Sequence, residues 1–184
     1  MTENEIDSDL TQIISKIKQG DKQTYSLIIE RFQRPIFLYC YYTLYNLQEA
    51  EDVTQETFIK AYKYIGKFEC TQSFSPWLYK IAQNSCIDVL KKKKKDLNTL
   101  FAYQKEQIEQ AQNPTIHLVH TYLDKLTKEE KQIVLLRSLE EYSYEEIAFI
   151  MNIKPATVRK KYERIRKKLI QEKKRGVNTY GHSF

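Results

Sequence analysis

The chain has 184 residues, 41% of them hydrophobic and 29% charged, with only four Gly and four Pro. That balance excludes a disordered polyelectrolyte and a membrane protein, and so few turn residues exclude a many-stranded sandwich or barrel, so a soluble all-α protein is predicted. The net charge of +6 is unevenly spread: eleven bases face two acids between Lys154 and Arg175, a local +9, which leaves the remainder at −3 and predicts a polyanionic partner for the C-terminal part.

Leu10, Ile13, Ile14 and Ile17 recur at i, i+3, i+4 and i+7 before Gly20, and Tyr25, Ile28, Ile29 and Phe32 repeat that spacing before Pro35. Two amphipathic helices are predicted there. Ile36 to Tyr45 is apolar on nearly every face, as in a helix at the centre of a bundle. Ala50, Val53, Thr57, Phe58, Ala61 and Ile65 form a further stripe, ended by Gly66. Ser75-Pro76 then offers an N-cap and a first-turn proline for a helix carrying Leu78, Ile81, Ala82, Ser85 and Val89 towards the lysine run at 91–95. A five-helix domain over residues 1–95 is therefore expected.

Residues 96–113 are polar and Gln-rich without an apolar period, and read as a flexible linker. A second small domain of four helices over 114–175 opens with a short helix carrying Ile116, Val119, Leu123 and Leu126. Thr127-Lys128-Glu129-Glu130 and Ser143-Tyr144-Glu145-Glu146 both have the capping-box pattern, heading helices with Ile133, Val134, Leu136 and Leu139 and with Ile147 to Met151. After Asn152-Ile153-Lys154, Pro155 starts a last helix with Val158, Tyr162, Ile165 and Leu169 inward. The tail, 176–184, has no pattern.

The helices near 143–151 and 155–172, joined by about three residues, have helix-turn-helix spacing. Thr157, Arg159, Lys160 and Arg164 lie off the apolar stripe, where they can meet base edges, with Glu163 among them; Arg166, Lys167 and Lys168 can neutralise phosphates further along. In the first domain Lys60, Tyr62, Lys63, Tyr64, Lys67, Phe68, Phe74, Trp77, Tyr79 and Lys80 interleave bases with rings. Lysines that track a backbone and rings that stack on unpaired bases suit single-stranded nucleic acid, although rings at such spacing also serve as core. Lys80, Asn84, Asp88 and Lys91 share one face of the helix after Pro76. Glu49, Glu51, Asp52 and Glu56 place four acids beside Gln55; they complement a helix N-terminus or dock on a basic protein surface.

Catalytic and metal readings are thin. His117 and His120 lack a third ligand nearby, and no Gly-rich phosphate loop or nucleophile elbow occurs, so neither a metal nor another cofactor is expected. Cys40, Cys70 and Cys86, widely spaced and odd in number, fit buried thiols in a reducing cytoplasm. The acidic N-terminus is unlike a signal peptide, and the longest apolar run is too short to span a bilayer, so the protein is expected to stay in the cytoplasm.

With these residues in place, the chain resembles an extracytoplasmic-function (ECF, group four) sigma factor, a small promoter-specificity subunit of bacterial RNA polymerase, over about residues 10 to 172. Ala50 to Phe58 is similar to the family's core-binding helix, and Phe74 to Asn84 with Asp88 and the lysine run to its promoter-melting and minus-ten-reading helix. Leu126, Ile133 to Arg137, Tyr144 to Ala148 and Ala156 to Arg159 resemble its minus-thirty-five-reading helix-turn-helix.

The resemblance implies that Glu51, Asp52, Gln55 and Glu56 dock on core RNA polymerase. It further implies that Lys67, Phe68, Phe74, Trp77, Lys80, Asn84, Asp88 and Lys91 serve the melted minus-ten element, the 68–74 loop and Asn84 holding a flipped-out base. Thr157, Arg159, Lys160 and Arg164 would read the minus-thirty-five duplex, and the linker would thread the polymerase channels. No covalent chemistry and no small-molecule substrate are implied. A dedicated anti-sigma factor, often membrane-anchored, would hold the chain inactive. Lys154-Pro155-Ala156, where a glycine often precedes Thr-Val, and Lys160-Lys161, where Ser-Arg is common, depart from the family pattern. Two rivals fit part of the pattern: a stand-alone dimeric helix-turn-helix regulator, which needs no acidic docking helix, and a metal-dependent nuclease using the acids at 49–56, which lack a partner cluster.

Overall fold

The computed structural model describes residues 3–69, 73–97 and 122–180, and every regular element among them is helical. The chain divides into two compact units, Met1–Lys105 and Glu106–Phe184. The expected linker lies outside the described residues beyond Leu97.

In the first unit α1, Glu3–Lys18, buries Leu10, Ile14 and Ile17. It stops at Gly20, whose φ of 103° lies in the left-handed region that glycine adopts without a Cβ clash. The Asp21 carboxylate accepts from the Gln23 and Thr24 amides and from the Thr24 hydroxyl (2.6 Å), which organises the turn into the next helix.

That helix, α2, runs unbroken over Tyr25–Leu44 with Pro35 inside it. The two helices expected on either side of Pro35 are therefore one, and the described residues of the unit form four α-helices where five were expected. A proline there forgoes one backbone hydrogen bond and crowds the preceding turn, a cost of about 3 kcal/mol. Phe32, Ile36, Tyr39 and Cys40 continue a single buried stripe across the position, and that burial offsets the cost.

At its C-terminus Tyr45 turns left-handed (φ 56°) and its N–H bonds the Tyr41 carbonyl at 2.8 Å. Asn46 then caps α3, Leu47–Tyr64, by accepting from the Glu49 amide at 2.9 Å. Ala50, Val53, Phe58 and Ala61 are buried, and the buried Thr54 and Thr57 hydroxyls satisfy themselves on the Ala50 and Val53 carbonyls. Tyr25 donates its hydroxyl to the Phe58 carbonyl at 2.7 Å, and burial pushes its pKa up.

A 3₁₀ turn, Ile65–Lys67, leads towards α4, Phe74–Leu97. α4 starts one residue before the expected Ser75 cap, so Pro76 sits third in the helix, where its missing N–H still costs no internal bond. α4 packs on both α2 and α3 through Phe74, Leu78, Tyr79, Ala82 and Cys86. Cys40 and Cys86 are fully buried beside each other, as small apolar residues; Cys70 lies outside the described residues.

In the second unit Leu123 and Leu126 are buried ahead of α5, Lys128–Leu139. The first two apolar positions expected for the opening helix lie outside the described residues. Both capping boxes form: Thr127 with Glu130 at the start of α5, and Ser143 with Glu146 at the start of α6, Tyr144–Met151. Asn152 turns left-handed (φ 54°) and α7 follows over Pro155–Tyr180. α7 therefore runs on into the segment expected to be a patternless tail. Among the described residues, Ile133, Leu135 and Leu136 from α5, Ile147, Ala148 and Ile150 from α6, and Val158 and Ile165 from α7 make the core of this unit.

Candidate functional site

Three polar surfaces lie on this framework. On α3 the buried stripe faces α2 and α4, which turns Glu51, Asp52 and Gln55 to solvent. Glu56 joins them half-exposed, paired with Lys60 at 2.8 Å. Lys60 also donates to the Ser85 hydroxyl at 3.0 Å, so it is drawn into the seam between α3 and α4. Glu49 points elsewhere: it pairs with Lys93 of α4 at 2.7 Å and belongs to the framework.

Beside the acids, a groove of about 520 Å³ runs between α2 and α3, lined by Glu30, Gln33, Arg34 and Phe37 opposite Glu51, Thr54 and Gln55. The α2 side of this groove is not part of the sequence reading. Its signal was present, since positions 30, 33, 34 and 37 carry helical spacing on the face away from the buried stripe.

The second surface lies on α4. Lys80 is half-exposed, and Asn84, Asp88 and Lys91 are exposed on one face, with Trp77 half-exposed one turn earlier. Asp88 and Lys91 are 3.9 Å apart with side chains 70% and 75% exposed, a solvated pair of little energetic weight.

Part of the ring reading is corrected here. Phe68, Phe74 and Tyr79 are buried, not displayed. Phe74 meets Phe32, Phe68 and Trp77 at centroid distances of 5.9, 5.4 and 5.3 Å, so these rings form the core beneath the surface. Tyr79 packs edge-on against Tyr39 at 5.4 Å. Tyr62 and Tyr64 stay partly exposed, and Lys63 and Lys67 both lie over the Tyr64 ring. From α1, Lys18 donates to the Phe68 carbonyl and lies over its ring, tying the start of the 68–74 loop to the N-terminal helix.

The third surface is the helix-turn-helix of α6 and α7. Arg159, Lys160, Glu163 and Arg164 are exposed and Thr157 is half-exposed, all within three turns of the start of α7. Lys161 and Lys168 turn the other way, onto Glu129 (2.6 Å) and Glu130 (3.7 Å) of α5. Lys168 is thus partly engaged on α5, with its side chain still 43% exposed, while Arg166 and Lys167 are exposed. The Thr127 backbone N–H, followed by Lys168, holds the Glu130 carboxyl below its ordinary range.

Among the described residues no group of three His, Cys, Asp or Glu side chains could hold a metal ion, and no helix is long and apolar enough to cross a membrane. His117 and His120 lie outside those residues.

An acidic face, a basic helical face with amide and ring groups, and a basic helix-turn-helix on two helical units have the chemistry of a nucleic-acid-binding protein that also has a surface suited to a basic protein partner. The model of Sigma-70 region 2 matches residues 28–96, and that of Sigma-70, region 4 matches 116–169. The ECF RNA polymerase sigma factor SigW of Bacillus subtilis is 31% identical, across 85% of this chain and 92% of SigW. The RNA polymerase sigma-H factor of Pseudomonas aeruginosa is 29% identical, across 84% of this chain and 89% of its own length. Two solved structures share the fold at a TM-score of 0.69: CnrH in complex with the cytosolic domain of CnrY (19% identity, 86% of this chain and 93% of that one), and the sigma factor RpoE in complex with the anti-sigma factor NepR from Bartonella quintana (18%, 80% and 94%).

The chain belongs to the ECF family of RNA polymerase sigma factors. It is a promoter-recognition subunit that joins core RNA polymerase and directs transcription initiation, which sets aside the stand-alone dimeric regulator.

Proposed function

We propose that the three surfaces divide the work of initiation. Glu51, Asp52, Gln55 and Glu56 dock on a basic surface of core polymerase, with the α2 wall of the adjoining groove completing the contact. Lys67, Trp77, Lys80, Asn84, Asp88 and Lys91 hold the melted minus-ten strand. Phe68 and Phe74 act there from beneath, as the packed floor that fixes Trp77 and the start of the loop. Thr157, Arg159, Lys160 and Arg164 read the minus-thirty-five duplex in the major groove, and the 96–113 linker joins the two modules.

The observation that carries this reading is the separation of charge: exposed acids on α3 and exposed bases on α7. Acids repel DNA phosphates and attract a basic protein surface; the bases do the reverse. The division also suits the energetics of opening a promoter. One module anchors on closed duplex while another captures unpaired bases, each stacking contact being worth about 1–3 kcal/mol. Binding energy for the melted state is all this requires of the chain, and nucleotidyl transfer stays with the core enzyme.

The protein acts in the cytoplasm, and an anti-sigma factor that covers its polymerase-docking surfaces regulates it; the like-folded RpoE is in complex with the anti-sigma factor NepR. The test is transcription by purified core polymerase, with and without this chain, on a pool of genomic promoter fragments. Discrete new start sites are expected. No starts together with no co-elution with core would refute the reading.

A further inference from the structure

An arginine reads guanine by aiming its planar fork of N–H donors at O6 and N7, and an exposed, freely rotating side chain must be ordered before it can do so. Arg159 is exposed near the start of α7, and its guanidinium carbon lies over the ring of Tyr144, 5.5 Å from the centroid. Tyr144, the first residue of α6, is itself held. The ring of Tyr162 meets it at 6.1 Å and 57°, and the Arg137 guanidinium lies over it at 5.3 Å.

The two arginines differ in what their donors do. Arg137 gives Nη1 to the carbonyls of Tyr142 (2.6 Å) and Glu141 (3.2 Å), which ties it to the loop before α6. Among the described residues no hydrogen bond or ion pair occupies the donors of Arg159. A guanidinium that lies flat on a ring engages it through its π face and leaves its in-plane fork free.

We propose that Tyr144 is a positioning residue for base recognition: its ring orders the Arg159 guanidinium with the donor edge outward, and Arg137 fixes the ring. This rests on the reading that Arg159 meets a base in the upstream element. The mutual repulsion of two cations on one ring favours the DNA-bound state, where Arg159 gains an acceptor while Arg137 keeps its carbonyls.

The test uses holoenzyme reconstituted with the full chain and measures competition binding to a promoter fragment mapped by the transcription assay, and to the same fragment with each upstream base pair replaced in turn. Tyr144→Leu is expected to weaken binding of the intact fragment about two- to five-fold, the range of a surface cation–π contact, and to blunt discrimination at the base pair where Arg159→Ala blunts it. Tyr144→Phe, which keeps the ring, should behave as the parent. In the Arg159→Ala background Tyr144→Leu should add nothing.

Equal weakening on every fragment, or a full additional loss in the Arg159→Ala background, would overturn the positioning role while leaving Arg159 as a reader. Unchanged discrimination in Arg159→Ala itself would refute the underlying assignment, and the positioning role with it. If Tyr144→Leu does not fold, Tyr144→Met removes the π face while keeping apolar bulk, and the same outcomes apply.

Discussion

Single side chains decide where the helices of the second unit begin. Thr127 accepts from the Glu130 amide while the Glu130 carboxylate returns to the Thr127 N–H at 2.8 Å, so two otherwise unpaired donors are satisfied reciprocally. Thr127→Ala is expected to cost about 1 kcal/mol, measured by urea unfolding of the full chain. The same box makes stability depend on pH. Glu130 has a folded-state pKa below its ordinary 4.5, so its contribution is complete above that value and is lost as pH falls through the lower folded value. Thermal midpoints should therefore fall on acidification below about pH 4.5, and Glu130→Gln should flatten that fall. Both boxes were legible because a Ser or Thr with a Glu three residues on is a purely local pattern. The Asn46 cap also has a Glu three residues on, but Glu49 pairs with Lys93 of α4 instead of returning to the cap, and neither this cap nor the Asp21 turn entered the reading. Phe68 and Phe74 were legible as rings, but whether a ring is floor or surface depends on α2, which brings Phe32 against Phe74 from 42 positions away.

At the level of elements the instructive case is α2. A proline that on local grounds should divide two helices instead lies inside one, because the apolar stripe keeps its phase across it. Pro35→Ala restores the N–H that the Arg31 carbonyl lacks as a partner, and is expected to stabilise the unit by on the order of 1–3 kcal/mol, less the entropy the freed chain regains on unfolding. Denaturant midpoints would show it; a loss of stability would mean that the proline ring itself packs usefully. α7 shows the opposite limit. Its buried positions Val158 and Ile165 were readable, whereas its continuation to Tyr180 was not, since beyond 172 the residues carry no apolar period to announce a helix. The helix-turn-helix itself was legible from Ser143, Asn152 and Pro155, three punctuation marks at fixed offsets.

Over the whole molecule, exposed acids and exposed bases lie on different helices, α3 and α7, and the proposed division of roles between them predicts separable defects. Arg159→Ala should weaken promoter selection with little change in core binding, while Asp52→Ala with Glu56→Ala should lose core binding and leave the upstream-reading face intact. Co-elution with core polymerase and start-site selection measure the two independently; if both variants lost only core binding, the partition would be wrong.

The all-α class, the two modules, the capping boxes and the order of three family motifs were determined by sequence alone, because each is a periodicity or spacing within a few helical turns. Tertiary structure alone decided the groove between α2 and α3, the burial of Phe68, Phe74 and Tyr79, and the turning of Lys161 and Lys168 onto α5. It likewise decided the meeting of Arg137, Tyr144 and Arg159. The reason is physical. Lys161 reaches Glu129 across 32 residues, and which of two basic neighbours faces solvent is settled only when helix faces meet and exclude water.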